Sequence, residues 1–588
     1  MATGFRLHRP VVNPGVPDPV LKYFLARWAE LCSPTTPVTV SAPSVSTRVA
    51  VRELYALERA KLQSARIRMD SSALGEEALV LIGNDPVIGT LDVATQVACG
   101  AEALRDSLSR GTESARGVDA RDERADRTAR GAWAQTARLC SVLLHMLEEA
   151  GYREAAIAAI EDQLDATGGN VLTRCQRMDP LLVCLASEAL AGGFDGHFLA
   201  RRAAVYQERT AEARAARFFS RLLHTDNDYD VYFRVRGAER SDHYATRTHE
   251  ISVSTEPPAT HDPAARQFMA LDGALKLCVK VHAADELSAA AAGYRKVRDA
   301  CAIAALWGGA VPAHPELRCL VRCPELQTER MVAVRSSATH YPVFPRHRMG
   351  ELLDQALDDR RLTEAASLAT SAATELVPDT RLLLLWMAAE HLVGDLGSER
   401  AADRVAGAFA PIIARRAPQR SVFAVSYRFG RLPGAQQRQL DAALLPAPSR
   451  EAAREVERQD ALLQALRADD AAVLDPLTEI LKASDVVGYV RLNELRKGVA
   501  GAGWQAWRRA RIEASHDRVR LQIQRLGRRR NLLIHSGSHV VDLECLRHLE
   551  FYLGQVFEAV LETKDTKDWE VETAFALERV LYDGETKK

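Results

Sequence analysis

Near its C-terminus the chain places an arginine, an asparagine and a histidine within six residues, Arg530-Asn531-Leu-Leu-Ile-His535. These side chains suit chemistry on a phosphodiester. An imidazole moves protons near neutral pH without help from a metal. A guanidinium grips a phosphate in a fixed fork and stabilises negative charge growing on phosphorus. RNA carries its own nucleophile, the 2′-hydroxyl, so a protein that cuts it need not supply one, and DNA would not be cut by the same route. In an ideal helix five residues turn about 500°, about 140° beyond a full turn, so Arg530 and His535 do not share one narrow face. On spacing alone such a pair recurs by chance in any long helical protein, and its setting has to carry the argument.

That setting is basic. Residues 511–530 hold seven arginines (Arg511, Arg518, Arg520, Arg525, Arg528, Arg529 and Arg530) against Glu513 and Asp517, seven minus two, or +5. The whole chain is balanced, with Lys+Arg 77 and Asp+Glu 78, which excludes a protein coated in positive potential but not a local basic site. Arg518, Arg525, Arg528 and Arg529 are the expected RNA-binding side chains. Ile512, Val519, Ile523 and Leu526 give the same helix an apolar stripe, Leu532–Ile534 add a further buried contact, and Gly537 is placed to end it. A second helix, from Val541 to about Glu562, is expected to return antiparallel. Trp504 and Trp507 precede the basic helix and suit either base stacking or packing.

The motif resembles the signature of the HEPN family (higher eukaryotes and prokaryotes nucleotide-binding): arginine, a polar residue, three variable residues and histidine, here followed by Ser536-Gly537. An upstream helix, Leu384-Leu-Trp-Met-Ala-Ala-Glu-His-Leu-Val393, resembles the leading helix of ApeA-like bacterial HEPN proteins, many of whose relatives act in anti-phage or toxin-type defence. Together the two stretches span about a third of the chain, with a long insertion between them. The resemblance implies a metal-independent endoribonuclease that needs no cofactor. Two protomers, or a larger homo-oligomer, would gather their Arg530/His535 pairs around a shared cleft. His535 would act as general acid or base, Arg530 would hold the phosphate, and Asn531 would orient either group. Products would end in a 2′,3′-cyclic phosphate and a 5′-hydroxyl. The partner is RNA, with transfer RNA among the candidates, and a phage-derived or nucleotide trigger would release the activity. Glu390 and His391 become auxiliary residues if their helix packs beside the motif; otherwise Glu390 merely solvates a bundle helix. The alternatives are a non-catalytic HEPN module that binds RNA or a nucleotide, and a helical scaffold for acidic proteins.

The rest of the chain speaks of architecture. Its 588 residues exceed one ordinary core, and 47% hydrophobic with 26% charged residues is a soluble globular composition. Residues 1–9 lack the apolar stretch of a secretory signal, and no run is long enough to cross a bilayer. The ten cysteines are scattered and read as reduced thiols of a cytosolic protein. Cys319 and Cys323 lack a second pair at zinc spacing, and Asp226, Asp228 and Asp230 lack the glycine and distal glutamate of a calcium loop, so no metal site is expected.

The expected fold is mainly α with a central α+β domain and a C-terminal HEPN-type helical bundle. Residues 1–224 read as helical after a proline-rich lead-in with one short helix near Val20–Leu31. Leu79-Val-Leu-Ile-Gly83 reads as a buried strand, and Gly111–Arg130 as a solvated helix or loop. Residues 225–345 alternate like strands at 229–236, 251–254, 275–281 and 331–335, with a helix near Ser288–Trp307. Residues 346–588 return to helix, interrupted around Leu432–Arg450 by prolines.

Overall fold

The computed structural model describes residues 18–33, 45–63, 71–116, 123–166, 168–209, 218–219, 227–237, 250–254, 262–270, 274–308, 313–334, 359–375, 377–394, 400–430, 432–445, 454–536, 543–566 and 571–586. They are mainly helical, with one small antiparallel sheet. None of the described helices is long and apolar enough to cross a membrane.

The N-terminal helices are α1 (Pro19–Cys32), α2 (Thr47–Gln63), α3 (Ser72–Asn84), α4 (Ala94–Arg116), α5 (Glu123–Glu149), α6 (Tyr152–Asp165), α7 (Val171–Ala191) and α8 (Gly196–Arg209). Helix α1 starts where its residues dictate: Asp18 accepts the Val20 N–H at 2.8 Å, and Pro19 occupies a first-turn position where no N–H is required. Its Phe24 and Trp28 pack edge-on against Phe218 and Phe219, and the Trp28 indole donates to the Leu199 carbonyl at 3.2 Å. Leu79–Gly83 lies inside α3 rather than in a strand. A short apolar run has no period of its own, and only one edge of this one is buried, through Ala78 and Ile82. The charged stretch near residue 111 belongs to the end of α4, and α5 begins at Glu123.

The central sheet has the order β2-β3-β1-β4-β5 and is antiparallel throughout. Its strands are β1 (Asn227–Arg236), β2 (Ile251–Val253), β3 (Leu275–Ala283), β4 (His314–Cys323) and β5 (Thr328–Ala333), with helices α9 (Pro263–Ala270) and α10 (Glu286–Gly308) between them. Tyr229, Val231, Phe233 and Val235 alternate onto one buried face. Helix α10 covers that face and comes closest at Gly293, where a Cβ would sit 3.0 Å from the Phe233 ring. Phe268 and Met269 of α9 cover Leu320 on the other face. Strand β4 was not foreseen from sequence, and its Cys319 and Cys323 are buried sheet residues. Asp226 lies outside the described residues, while Asp228 meets His282 across the β1–β3 pair.

The C-terminal part runs through α11 (Arg360–Thr374), α12 (Pro378–Val393), α13 (Ala401–Arg415), α14 (Ala417–Phe429), α15 (Gly434–Leu444), α16 (Arg454–Ala468), α17 (Ala471–Ser484), α18 (Val486–Ala502), α19 (Trp504–Ser536), α20 (Leu543–Thr566) and α21 (Val571–Thr586). Two cores form here. One joins α11, α12 and α13 to α19, α20 and α21. The other is built by α14 to α18, which lie in sequence between α13 and α19, around Leu440, Leu462, Leu474 and Leu477. The proline-flanked stretch after Leu432 does hold a helix, α15. Buried ions tie this part to the N-terminal helices: Arg428 of α14 meets Glu30 of α1 at 2.5 Å and Asp485 at 2.5 Å.

Candidate functional site

The motif ends α19, a 33-residue helix, about 50 Å long. Its apolar stripe is buried as its periodicity requires, with Ile512, Val519, Ile523 and Leu526 all in the interior. The helix continues unbroken through Ser536, so the backbone keeps the offset between Arg530 and His535. The His535 side chain and Gly537 lie outside the described residues. Leu532 is buried, whereas Ile534 is 49% exposed, so the expected apolar contact is made by only part of that triplet.

Arg530 is half-buried and sits between two polar neighbours. Its Nη1 donates to Asn531 Oδ1 at 2.9 Å, and its Nη2 lies 3.6 Å from Glu390 Oε2. Glu390 reaches this position from α12, whose limits follow from its residues: Pro378 opens it, and Gly394 closes it at φ 66°. One turn before Glu390, the Trp386 indole donates to its Oε1 at 2.8 Å. Both helices can approach because Gly527 has no side chain, since a Cβ there would meet Ala402 Cβ at 2.6 Å and the Trp386 ring at 2.9 Å. Glu390 therefore does pack beside the motif. His391 points elsewhere, to Glu364 at 2.5 Å.

Asn531 and Glu390 also line a groove of about 240 Å³ with Arg400, Arg520, Arg528 and Gln524. Asp403 of α13, which accepts from Gln524 Nε2 at 3.0 Å, and Ser72 and Glu76 of α3 line it as well, and Arg520 Nη2 lies 3.6 Å from Glu76 Oε2.

The arginines expected to hold RNA divide into two groups. Arg518 is exposed on α19. Arg525 is buried and forms ion pairs with Glu53 of α2 at 2.8 Å and Glu77 of α3 at 2.7 Å, while Arg529 meets Glu53 at 2.5 Å. Arg528 is also buried, at 9% exposure. In this arrangement the three clamp or pack the N-terminal helices rather than present a solvated basic face. Burial would raise the Glu53 carboxyl, but the charges of Arg525 and Arg529 outweigh it and hold it at about 2. Those acids lie far upstream, so the local +5 charge gives no hint of its neutralisation.

Trp504 and Trp507 are used for packing. Arg467 lies over the Trp504 ring, 5.2 Å from its centroid, and Trp507 closes on Gly498, where a Cβ would be 2.8 Å from the indole. Behind the motif, α20 contributes His548, which is buried; desolvation and the charges of Arg547 and Arg525 push it down to about 3, so it is a neutral core imidazole.

No family model, curated protein or solved structure matches the chain. The functional argument rests on the motif and on its surroundings.

Proposed function

We propose that the chain is an endoribonuclease of the HEPN type, cutting RNA in the cytoplasm by attack of the 2′-hydroxyl on the adjacent phosphorus, without a metal or other cofactor. The observation that carries this reading is the company of Arg530: Asn531 and Glu390 hold a half-buried guanidinium, and both also line an adjacent groove that carries Arg400, Arg520 and Arg528. Arg530 would take a non-bridging phosphate oxygen, and Asn531 would keep its fork oriented. His535 would move a proton, either from the 2′-hydroxyl or to the departing 5′-oxygen. The bond to the 5′-oxygen breaks as the bond to the 2′-oxygen forms, leaving a 2′,3′-cyclic phosphate and a 5′-hydroxyl.

The unbroken course of α19 through Ser536 favours a site shared by two protomers, because the helical backbone turns positions 530 and 535 apart. The ion pairs from Glu53 and Glu77 and the α3 wall of the groove suit an enzyme held off until a trigger draws α2 and α3 away, as defence against phage would require.

The test is incubation of the full chain with mixed cellular RNA and with transfer RNA in chelator, followed by mapping of product ends. Cyclic-phosphate ends that fall at least about 100-fold in Arg530→Ala and in His535→Ala, with folding intact, are expected. Products ending in a 3′-hydroxyl, or products that persist in His535→Ala, would overturn it.

A further inference from the structure

Helices α1, α7, α13, α14, α18, α19 and α20 line a second, open cavity, of about 330 Å³, that shares no lining residue with the groove near Arg530. One side of it is built from three arginines. Arg420 of α14 donates to the Ile413 carbonyl at 2.5 Å and the Ser515 hydroxyl at 3.2 Å, and lies over the Phe551 ring, 5.7 Å from its centroid. Arg511 and Arg518 stand two turns apart on one face of α19, and Arg511 Nε donates to Ser421 Oγ at 3.1 Å.

Among the described residues, none of these three forms an ion pair with a carboxylate. Three other arginines are neutralised by acids. Arg428 is neutralised by Glu30 and Asp485, Arg525 by Glu53 and Glu77, and Arg416 by Glu558 and Glu562. The cost shows in Arg420, which burial, then the charges of Arg518, Arg416 and Arg511, push down to about 9. Arg511 is lowered too, by burial and by Arg518. The like charges of Arg511 and Arg518, on the exposed side of the cavity, gather around the buried Arg420 at a cost in free energy that a bound polyanion recovers.

Charge and size narrow the ligand. A single phosphate carries at most about −2, short of three guanidiniums, so two or more phosphates match the site. The volume lies at the lower end of the range for small-molecule sites, roughly 300–1,000 Å³. The other wall is different in kind. Asp179 is held there by Arg27 at 2.6 Å and by the Tyr23 hydroxyl at 2.7 Å. Glu494 lies nearby with its carboxyl raised by burial and by Asp179. Trp507, Phe551 and Tyr552 supply rings to the lining. These groups suit the N–H, hydroxyl or ring portion of a ligand whose phosphates face the arginines.

The geometry points to a binding site for a small molecule bearing two or more phosphates, seated against Arg420, Arg511 and Arg518 where the N-terminal helices meet the C-terminal bundle. Its readout is binding, so it stands or falls separately from the cleavage chemistry. Arg518 precedes Arg530 by twelve residues on the same helix, about 18 Å, so an occupant lies within reach of the motif through one rigid element.

Calorimetric titration of the full chain with pyrophosphate, tripolyphosphate and the common nucleoside triphosphates tests this. Saturable binding of one ligand per chain is expected, weakened at least about tenfold by Arg511→Gln and by Arg518→Gln and retained in His535→Ala. Circular dichroism melts of the two glutamine variants separate lost binding from lost folding, and Arg511→Lys, which keeps the charge, should rescue part of the affinity. A triphosphate nucleoside that binds better than tripolyphosphate assigns the ring portion to the acidic wall; equal affinities assign the site to the phosphates alone, and either supports the site. Absence of saturable binding to all three ligand types overturns it, as does affinity unchanged in both glutamine variants. Competitive displacement by a single-stranded RNA oligomer would overturn the small-ligand assignment and place RNA in the cavity.

Discussion

Arg530 and Glu390 face one another across the contact of α19 with α12, 3.6 Å apart, while the Trp386 indole holds the other carboxylate oxygen at 2.8 Å. Each side chain of the pair is about a quarter exposed, at 27% and 26%, so the pair contributes little to folding, under about 1 kcal/mol. On the proposed function the same carboxylate that holds the guanidinium in place also occupies one approach that a phosphate would take, and the two effects oppose one another. Glu390→Gln keeps an oxygen for Trp386 and removes the competing charge. The expected result is an unchanged melting temperature and RNA affinity higher by about two- to fivefold, read by fluorescence anisotropy. Weaker binding would instead make Glu390 a positioning residue for Arg530.

Gly527 sets how closely α19 lies against α12 and α13. Two effects oppose one another in Gly527→Ala. Alanine favours the helix by about 1 kcal/mol. Its Cβ, however, would be 2.6 Å from Ala402 Cβ, which belongs to a packed helix and not to a flexible side-chain end. Overpacking of this kind costs about 1–3 kcal/mol, so a net loss of stability is expected in urea unfolding. A gain would mean that the helices separate easily, and Arg530 would then be held less firmly than its hydrogen bonds suggest.

These relationships were legible in the sequence only in part. The helix expected near Val20–Leu31 is α1, and some helix limits are written in local chemistry, as in Asp18-Pro19 before α1 and Pro378 with Gly394 around α12. Strands β1 and β3, whose alternation is nearly regular, were read correctly. Strand β4 was missed because its burial does not alternate and its pairing with β1 shifts register between Phe233 and Val235. Leu79–Gly83 was misread as a strand because apolar content without a period does not distinguish strand from helix. The nearness of Glu390 to the motif was legible as a condition on packing, but its pairing with Arg530 was not. Nor was the commitment of Arg525 and Arg529 to Glu53 and Glu77, or the gathering of Arg420 with Arg511 and Arg518, since both depend on contacts between distant segments.

The Glu53 clamp has a defined dependence on pH. Its carboxyl is depressed from 4.5 to about 2, so its contribution is complete above the unfolded value and is lost as pH falls through about 2. Glu77, beside it on Arg525, is raised by burial and works in the opposite direction, so the comparison has to isolate Glu53. Glu53→Gln leaves Arg525 and Arg529 short of a partner and should cost on the order of 3 kcal/mol at neutral pH. The difference between wild type and variant should shrink as pH is lowered from 4.5 toward 2. Hydrogen exchange should quicken in α2 before the rest of the bundle. If α2 and α3 restrain the groove, the same variant should cleave RNA without a trigger, and an unchanged basal rate would show that the clamp is structural alone.

The offset of Arg530 from His535 leads to a test of how the site is assembled. Because α19 stays helical through Ser536, the backbone turns about 140° between the two positions. A phosphate held by Arg530 of one protomer is then better served by His535 of the partner subunit. Arg530→Ala and His535→Ala are each inactive alone on this account. Co-expressed, they form a mixed dimer with one composite site that keeps both wild-type side chains and one that keeps neither. With random pairing, half the dimers are mixed and half of their sites are intact, so activity should return to on the order of a quarter of wild type. A site contained within one protomer gives no recovery, since every chain lacks one member of its own pair. Product-end mapping of the co-expressed pool distinguishes the two outcomes, differently tagged mixed dimers purified from it should reach about half of wild type, and recovery would require a homo-oligomer for cleavage.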